Sequence, residues 1–460
     1  MILLGGATET GHEGIGGFQE WPQLESVRTA VKFAARPASV DLIPRHLERA
    51  VRTSVYGRPG PCYIDLPGDL LNTRVPASSV RLLPAPSPPP VLSPSPASLQ
   101  EVATVLKNSA KPLIIVGKGA AYARAEAEIR QFAAVTNIPV LATPMGKGVI
   151  PDSSPSLVSA ARSTALEGAD TVLLLGARLN WMLHFGQPPR WSSRQPPAII
   201  QVDICAEELH NSVPARVALQ ADIRATVAGL IEVMGPWRYP DTAPWWGTLR
   251  DKMTENVEAT RALMEDASVP LNYYAAFAPI SDLLTEDTYV VSEGANTMDI
   301  GRTMLLNSKP RHRLDAGTFG TMGLGLGFAI ATALYVKKFD PKGKVLCVEG
   351  DSAFGFSGME IETIARYKLP IVLVIINNNG IYSGFEPEVY SDIIEDGEAT
   401  LTSPPTALLP AVRYEGTKYW QNKQYFRIRL YDCSRQTWTE HGSGFLELLS
   451  EPKMLKIKPL

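Results

Sequence analysis

The sequence predicts an α/β protein of several domains built on parallel sheets, and three features carry that reading. In residues 344–376, two apolar runs, Lys344 to Val348 and Ile371 to Ile376, flank a helical stretch from Ser357 to about Tyr367 that Pro370 stops. Neither run alternates with polar residues, as expected of strands buried on both faces and joined by a crossover helix. Between residues 99 and 235, strand and helix patterns alternate as in a doubly wound sheet. Finally, 460 residues exceed what one ordinary core covers, so two or three domains are expected.

Composition narrows the class. Apolar residues make up 45% of the chain, and 44 Lys and Arg against 47 Asp and Glu give a net charge of −3. That balance offers no footprint for a nucleic-acid partner. Cys62, Cys205, Cys347 and Cys433 are far apart and in or beside apolar segments, so they read as reduced core thiols of an intracellular protein. No apolar run reaches membrane-spanning length. Met1-Ile2-Leu3-Leu4 reads as a strand in progress rather than a signal peptide, lacking a basic start and a long apolar region.

Residues 1–76 carry glycine turns at Gly5-Gly6 and Gly14 to Gly17, then an Ala/Val-rich helical stretch. A helix follows from about Leu42 to Tyr56, with Leu47, Val51 and Val55 at helical spacing, and Cys62 to Pro67 closes the segment as a strand. Two or three strands cannot cover their own faces, so this segment is expected to be half of an α/β domain. Seven prolines between Pro84 and Pro96 make residues 77–98 an extended linker. The domain at 99–235 has strands at Pro112 to Val116, Ile138 to Leu141, Thr171 to Leu175 and Ile199 to Ile204, with a helix from Ala123 to Thr136. Gly117-Lys118-Gly119 is only a fragment of a dinucleotide-binding pattern. Lys118, Arg162 and Arg178 are open to two readings, a nucleotide phosphate or solvated surface charge. A Trp/Pro-rich connector at 236–268 is expected to wrap outward before a charged helix. Residues 269–415 form a third domain, with a strand at Tyr289 to Ser292 and a glycine-spaced helix from Gly320 to Ala333; 416–460 is a divergent tail with one β run, Tyr425 to Leu430.

A strand-helix-strand unit brings its two strand ends together, so Asp351 and the Asn377-Asn378-Asn379-Gly380 turn are expected to meet, with Glu293 on the same edge. One carboxylate, one amide oxygen and one backbone carbonyl suit Mg²⁺ and leave positions for water or phosphate. The small residues after Asp351, and Gly380-Ile381-Tyr382, offer backbone N–H groups to such phosphates. The same residues also suit a plain turn. Glu360 and Glu362 read as solvated helix faces, and the six histidines are too scattered for a zinc site.

Gly-Asp followed some two dozen residues later by Asn-Asn, across this unit, resembles the signature of thiamine diphosphate-dependent enzymes. The stretches GDSAFGFSGMEIET (350–363), NNNGIY (377–382), VSEGANTMDIGR (291–302) and LDAGTFGTMGLGLGFAIA (314–331) resemble the 2-hydroxyacyl-CoA lyase family and its oxalyl-CoA decarboxylase relatives; the triple asparagine and FQEWPQ (18–23) favour the lyases. The resemblance covers roughly residues 1–415. It implies three-layer α/β domains with parallel sheets: the C-terminal half of a pyrimidine-binding domain at 1–76, a central domain at 99–235 that contributes to the coenzyme A side, and a diphosphate-binding domain at 269–415.

The resemblance further implies thiamine diphosphate and Mg²⁺ as cofactors. Asp351, the Asn378 side chain and the Gly380 carbonyl would hold the metal. Backbone donors around Ser352, Ala353, Ile381 and Tyr382, with Asn296 and Thr297, would hold the diphosphate. Met322 would lie under the bent cofactor, with the Gly320 carbonyl and Met322 N–H on the aminopyrimidine edge. The implied reaction cleaves a 2-hydroxyacyl-CoA to formyl-CoA and an aldehyde one carbon shorter, a step of fatty acid alpha-oxidation, in a homodimer or homotetramer. No residue is assigned to catalysis, because the glutamate that activates the cofactor in such enzymes has no counterpart in the sequence. A catalytically impaired product is therefore the alternative expectation. Relatives imply a peroxisomal location, whereas the ending Lys458-Pro459-Leu460 departs from the Ser-Lys-Leu type of address and implies a cytoplasmic one.

Overall fold

The computed structural model describes residues 1–192, 194–268 and 271–378, together with the backbone of 430–432 and 437–439. The chain forms two compact units: one of residues 1–93 with 204–207 and 220–222, the other of the remainder.

In the first unit, strands β1 (Ile2–Ala7), β2 (Phe33–Ala35) and β3 (Cys62–Pro67) make a parallel sheet in the order β1-β3-β2. The helix Ile43–Val55 covers it: Ala50 packs against Cys62 and Ile64, with Leu47, Ile2, Phe33 and Leu66 around them. The stripe expected along this helix is narrower than the sequence suggested, since Val51 and Val55 are exposed. The Ala/Val-rich stretch is not one helix either. It divides into Gln23–Arg28 and β2, because Phe33 to Ala35 complete a ladder on Cys62 to Ile64. Residues 80–95 have no regular structure. The next helix starts at Pro96, inside the expected linker, because Ser95 caps it by accepting the Ser98 N–H (3.1 Å) and Pro96 suits a first helical position.

The second unit holds two larger sheets. Strands β4 (Pro112–Val116), β5 (Val140–Ala142), β6 (Thr171–Leu175), β7 (Ala198–Asp203) and β8 (Val217–Gln220) lie in the order β5-β4-β6-β7-β8, with β5 to β7 in parallel register. The strand order changes direction between β4 and β6. There a Cβ on Gly117 would sit 2.2 Å from the Gly176 carbonyl oxygen and one on Gly119 2.7 Å from the Gly176 Cα. The Gly117-Lys118-Gly119 pattern thus lets two backbones touch. The expected helix from Ala123 begins at Glu126 and runs to Thr136, parted from a preceding short helix, Lys118–Tyr122, where Arg124 takes a left-handed backbone (φ 52°). The connector does not wrap outward. Trp245 and Trp246 are buried at the start of the helix Pro244–Glu265, their indole N–H groups donating to the Pro112 and Asn137 carbonyls at 3.1 and 3.0 Å.

Strands β9 (Thr288–Glu293), β10 (Arg313–Asp315), β11 (Lys344–Gly350) and β12 (Ile371–Ile376) form a parallel sheet in the order β10-β9-β11-β12. Successive residues point to opposite faces. Tyr289, Val291, Val345, Cys347, Leu373 and Ile375 pack under the helix Gly325–Phe339; Val290, Leu346, Val348, Val374 and Ile376 pack with Phe277, Ile280, Met304 and Leu305. The helix expected from Gly320 begins five residues later, at Gly325, for a reason given below. Backbone strands β13 (Leu430–Asp432) and β14 (Thr437–Thr439) pair antiparallel; the expected β run at Tyr425 to Leu430 lies, apart from Leu430, outside the described residues.

The thiols are not alike. Cys62 and Cys347 are buried, and burial pushes both thiols up, Cys347 well above the usual range. Cys205 is no core thiol: it is half-buried, with its Sγ 3.1 Å from Glu207 Oε2.

His312, 8% exposed, stacks on Tyr289 with ring centroids 3.8 Å apart. Burial, then the nearby Lys309 charge, holds its pKa below the usual histidine value. The unfolded chain therefore takes up a proton below about pH 6.5 that the folded state refuses, and stability falls as pH drops from there toward the folded-state pKa. His312→Phe keeps a ring on Tyr289 without the titration, so the fall in the denaturant midpoint between about pH 7 and pH 5 should be shallower. A pH dependence equal to that of the parent contradicts this assignment.

Candidate active site

Parallel register brings three strand ends to one edge: Glu349 lies opposite Glu293, and Gly350 opposite Ile376. Each strand then hands over to a functional segment. After β9, Gly294 (φ 104°) turns the chain into the helix Ala295–Met304, which carries Asn296 and the buried Thr297. After β11, the chain enters a helix at once, Asp351–Ser357, ahead of the helical stretch expected from Ser357; Gly350 is its extended N-cap. A Cβ on Gly294 would come 3.3 Å from the Gly350 nitrogen and one on Gly350 3.2 Å from Thr297 Oγ1, so both glycines permit the close approach of these tips. After β12 come Asn377 and Asn378, both 6% exposed.

Asp351 is 1% exposed. The Asn378 amide nitrogen donates to the Tyr273 hydroxyl at 3.0 Å, which leaves the amide oxygen as the atom it offers a cation. Asn296 hydrogen-bonds the same hydroxyl, and burial, followed by the negative charge of Asp351, pushes the tyrosine up to about 12. Tyr273 is therefore an uncharged phenol at neutral pH that hydrogen-bonds both Asn296 and Asn378 within the field of Asp351. Sequence reasoning missed it, because nothing in the Tyr/Ala-rich helix Tyr273–Ser281 marks one tyrosine as facing the distant Gly-Asp motif.

The segment between β10 and the next helix, residues 316–324, is a loop whose Gly317, Gly320 and Gly323 all have left-handed backbones (φ 61°, 66° and 82°). Nothing lies within 4 Å of a Cβ built on Gly317 or Gly320, whereas one on Gly323 would meet Phe356 at 3.3 Å, tying this end of the loop to the helix that begins at Asp351. Gly320 is exposed and Met322 half-buried. Asp315 begins the loop by accepting the Gly317 N–H (3.0 Å) while paired with Arg302 at 3.3 Å. Glu293 ends it, its buried carboxylate accepting the N–H groups of Gly323, Leu324 and Gly325. That carboxylate sets the helix start at Gly325, since exposed first-turn N–H groups need acceptors.

Glu349 lies beside Glu293, buried completely. Burial, then the Glu293 charge, pushes it up to about 8. Glu293 is raised by burial too, but the three N–H groups oppose the rise. Of the pair, Glu293 therefore carries the charge and Glu349 keeps its proton at neutral pH. Glu349 was legible only as a carboxylate ending an apolar run.

Other expected residues make contacts of their own. Glu360 and Glu362 are exposed, and Glu362 pairs with Arg366. Lys118 lies over the Tyr122 ring (5.1 Å), Arg162 donates to the Met182 carbonyl and contacts His184, and Arg178 pairs with Glu208 (3.3 Å). Ser352 and Ala353 are buried in the first turn after Asp351. Gly380, Ile381 and Tyr382 lie outside the described residues.

The donor set suits a hard divalent cation beside a diphosphate, since a buried carboxylate and an amide oxygen are the ligands Mg²⁺ prefers. Among the described residues, no three or more His, Cys, Asp or Glu are grouped to hold a metal, so side-chain amide and backbone oxygens would complete such a site. The open space at Gly317 and Gly320 suits a ligand approaching the loop backbone.

Comparison with known proteins bears on the diphosphate part of this chemistry. Residues 99–230 match the family model "Thiamine pyrophosphate enzyme, central domain" and residues 293–384 match "Thiamine pyrophosphate enzyme, C-terminal TPP binding domain". Human 2-hydroxyacyl-CoA lyase 1 is 51% identical over 418 residues, 90% of this chain and 72% of that protein. The 2-hydroxyacyl-CoA lyase of rice is 38% identical over 431 residues (90% and 73%), and oxalyl-CoA decarboxylase of Escherichia coli K12 is 37% identical over 421 (90% and 72%).

Gly325 provides a test of the carboxylate pair. A Cβ there would lie 1.9 Å from Glu349 Oε1 and 2.9 Å from Glu293 Oε2, so Gly325→Ala should destabilise by about 1–3 kcal/mol, the usual cost of overpacking. Gly327, two residues on, has nothing within 4 Å, and Gly327→Ala should be neutral or stabilise by up to about 1 kcal/mol. Equal unfolding midpoints for the two variants would contradict the packing described.

Proposed function

The chain belongs to the 2-hydroxyacyl-CoA lyase family of thiamine diphosphate-dependent enzymes, and from that premise we propose that it cleaves the carbon–carbon bond of a 2-hydroxyacyl-CoA, giving formyl-CoA and an aldehyde one carbon shorter. The observation that carries this reading is the 51% identity to human 2-hydroxyacyl-CoA lyase 1 over 90% of the chain, against 37% to a bacterial oxalyl-CoA decarboxylase. Bound thiamine diphosphate supplies the electron sink that carbon–carbon cleavage requires, and the protein supplies position and surroundings.

Asp351 and Asn378 would hold Mg²⁺, joined by Gly380 through its carbonyl. Tyr273 supports the reading by fixing the Asn378 amide nitrogen, and so the direction of its oxygen. Ser352, Ala353, Ile381 and Tyr382, with Asn296 and Thr297, would hold the diphosphate. Gly320 would accept a hydrogen bond from the aminopyrimidine through its carbonyl, Met322 would donate one through its N–H, and the Met322 side chain would set the cofactor's bend. Glu293 carries its charge on backbone N–H groups that end this loop, so it orients the loop rather than meeting substrate.

Among the described residues, no helix is long and apolar enough to cross a membrane. An acyl-CoA substrate, a homodimeric or homotetrameric assembly and a peroxisomal site of action belong to the same proposal.

Two measurements test it. In a calorimetric titration, Asp351→Asn should weaken Mg²⁺-dependent thiamine diphosphate binding by about tenfold or more; unchanged binding in a folded variant removes Asp351 from the site. With both cofactors saturating, formyl-CoA should form from a long-chain 2-hydroxyacyl-CoA in preference to oxalyl-CoA, and the reverse preference would replace the lyase reading by the decarboxylase one.

A further inference from the structure

The loop at 316–324 presents a physical problem. Three of its residues need left-handed backbone, it offers few apolar contacts, and Phe319 is 96% exposed. Ordering each such residue costs conformational entropy, more for glycine, so a loop that is to hold a ligand by its backbone needs anchors. Its ends have them, in Asp315 and Glu293. Its middle is held by residues of the other large sheet's domain.

Two side chains from the segment after β6 meet on Thr318. The Trp181 indole N–H donates to the Thr318 carbonyl at 2.7 Å, and the Arg178 guanidinium donates to the Thr318 hydroxyl at 3.2 Å. Backbone and side chain of one loop residue are thus both gripped. The gripping segment is itself fixed. Glu208 holds Arg178 at 3.3 Å; the Ser212 hydroxyl donates to the Leu179 carbonyl at 2.5 Å; Asn180 accepts the Met182 N–H at 3.0 Å; Arg162 donates to the Met182 carbonyl. Gly176, where the segment starts, packs directly on Gly119.

We propose that Arg178 and Trp181 are positioning residues for the loop that carries Gly320 and Met322, so that the central domain sets the affinity of the diphosphate-binding domain for the ring end of the cofactor. The proposal rests on the assignment of Gly320 and Met322 to the aminopyrimidine edge. It also replaces the expectation that Arg178 faces a nucleotide phosphate or only solvent. Both act through Thr318, two residues before Gly320.

The test uses the full chain and two probes: thiamine diphosphate with Mg²⁺, which engages both ends of the site, and inorganic pyrophosphate with Mg²⁺, which engages only the metal end. Trp181→Phe keeps the ring and removes the donor, and Arg178→Gln removes the charged fork. Each should weaken thiamine diphosphate binding by about threefold to tenfold, the range of one lost hydrogen bond, and leave pyrophosphate binding and the unfolding midpoint unchanged. Thr318→Ser, which retains both acceptors, should bind as the parent does, whereas Thr318→Ala should match Arg178→Gln. Equal weakening of both probes, or a lowered midpoint, would show a merely structural role and overturn the proposal. Unchanged thiamine diphosphate affinity would overturn it as well. In the same titrations, Asp351→Asn should weaken both probes; if it weakens neither, the assignment of the metal site fails, a result distinct from failure of the loop proposal.

Discussion

The buried carboxylate of Glu293 organises the candidate site. It sits at the end of a strand, at the start of a helix and at the close of a loop, and it satisfies needs on both sides. A helix entering the protein interior leaves first-turn N–H groups that must find acceptors, and a buried carboxylate must find donors or give up its charge. Glu293 and the N–H groups of residues 323–325 resolve both at once. Two consequences follow from the space and the charge involved: residue 325 must lack a side chain, and Glu349, pressed against the same carboxylate, keeps its proton.

Much of the architecture was legible because it follows from strand chemistry. Runs such as Ile371 to Ile376, branched and without polar alternation, suit buried strands, although Val372 is 52% exposed, and parallel strands of one sheet necessarily bring their C-terminal ends to one edge. Asp351, Asn378 and Glu293 share that edge for this reason. Errors arose where tertiary contacts decide. Strands β2, β8 and β10 have only three or four residues and owe their state to neighbours across the sheet. The start of the helix at Gly325 is fixed by a carboxylate distant in sequence, and Trp245 and Trp246 turn inward because two carbonyls accept their indoles. Tyr273 could not be singled out, since its role depends on where its helix crosses the strand ends.

The site is built from polar groups that constrain one another without themselves being reactive. Tyr273 stays a phenol because burial and Asp351 oppose its ionisation. Asp351, almost wholly buried, gains most from a partner of high positive charge, which is why a divalent cation fits the position better than a lone solvent molecule. The loop at 316–324 works by the opposite strategy, with an open backbone, little packing and strong anchors at a few points. Arg178 and Trp181 supply one of those points, so the central domain bears on the proposed cofactor site through this loop.

The claim on which this account rests most directly is that Asp351 and Asn378 share one divalent cation. Crystals grown with thiamine diphosphate and Mn²⁺ in place of Mg²⁺, measured at the manganese absorption edge, would locate the ion by its anomalous signal. The account predicts a single strong peak about 2.1 Å from both an Asp351 carboxylate oxygen and the Asn378 amide oxygen. A peak that leaves either residue outside coordinating distance while the diphosphate is bound would contradict it.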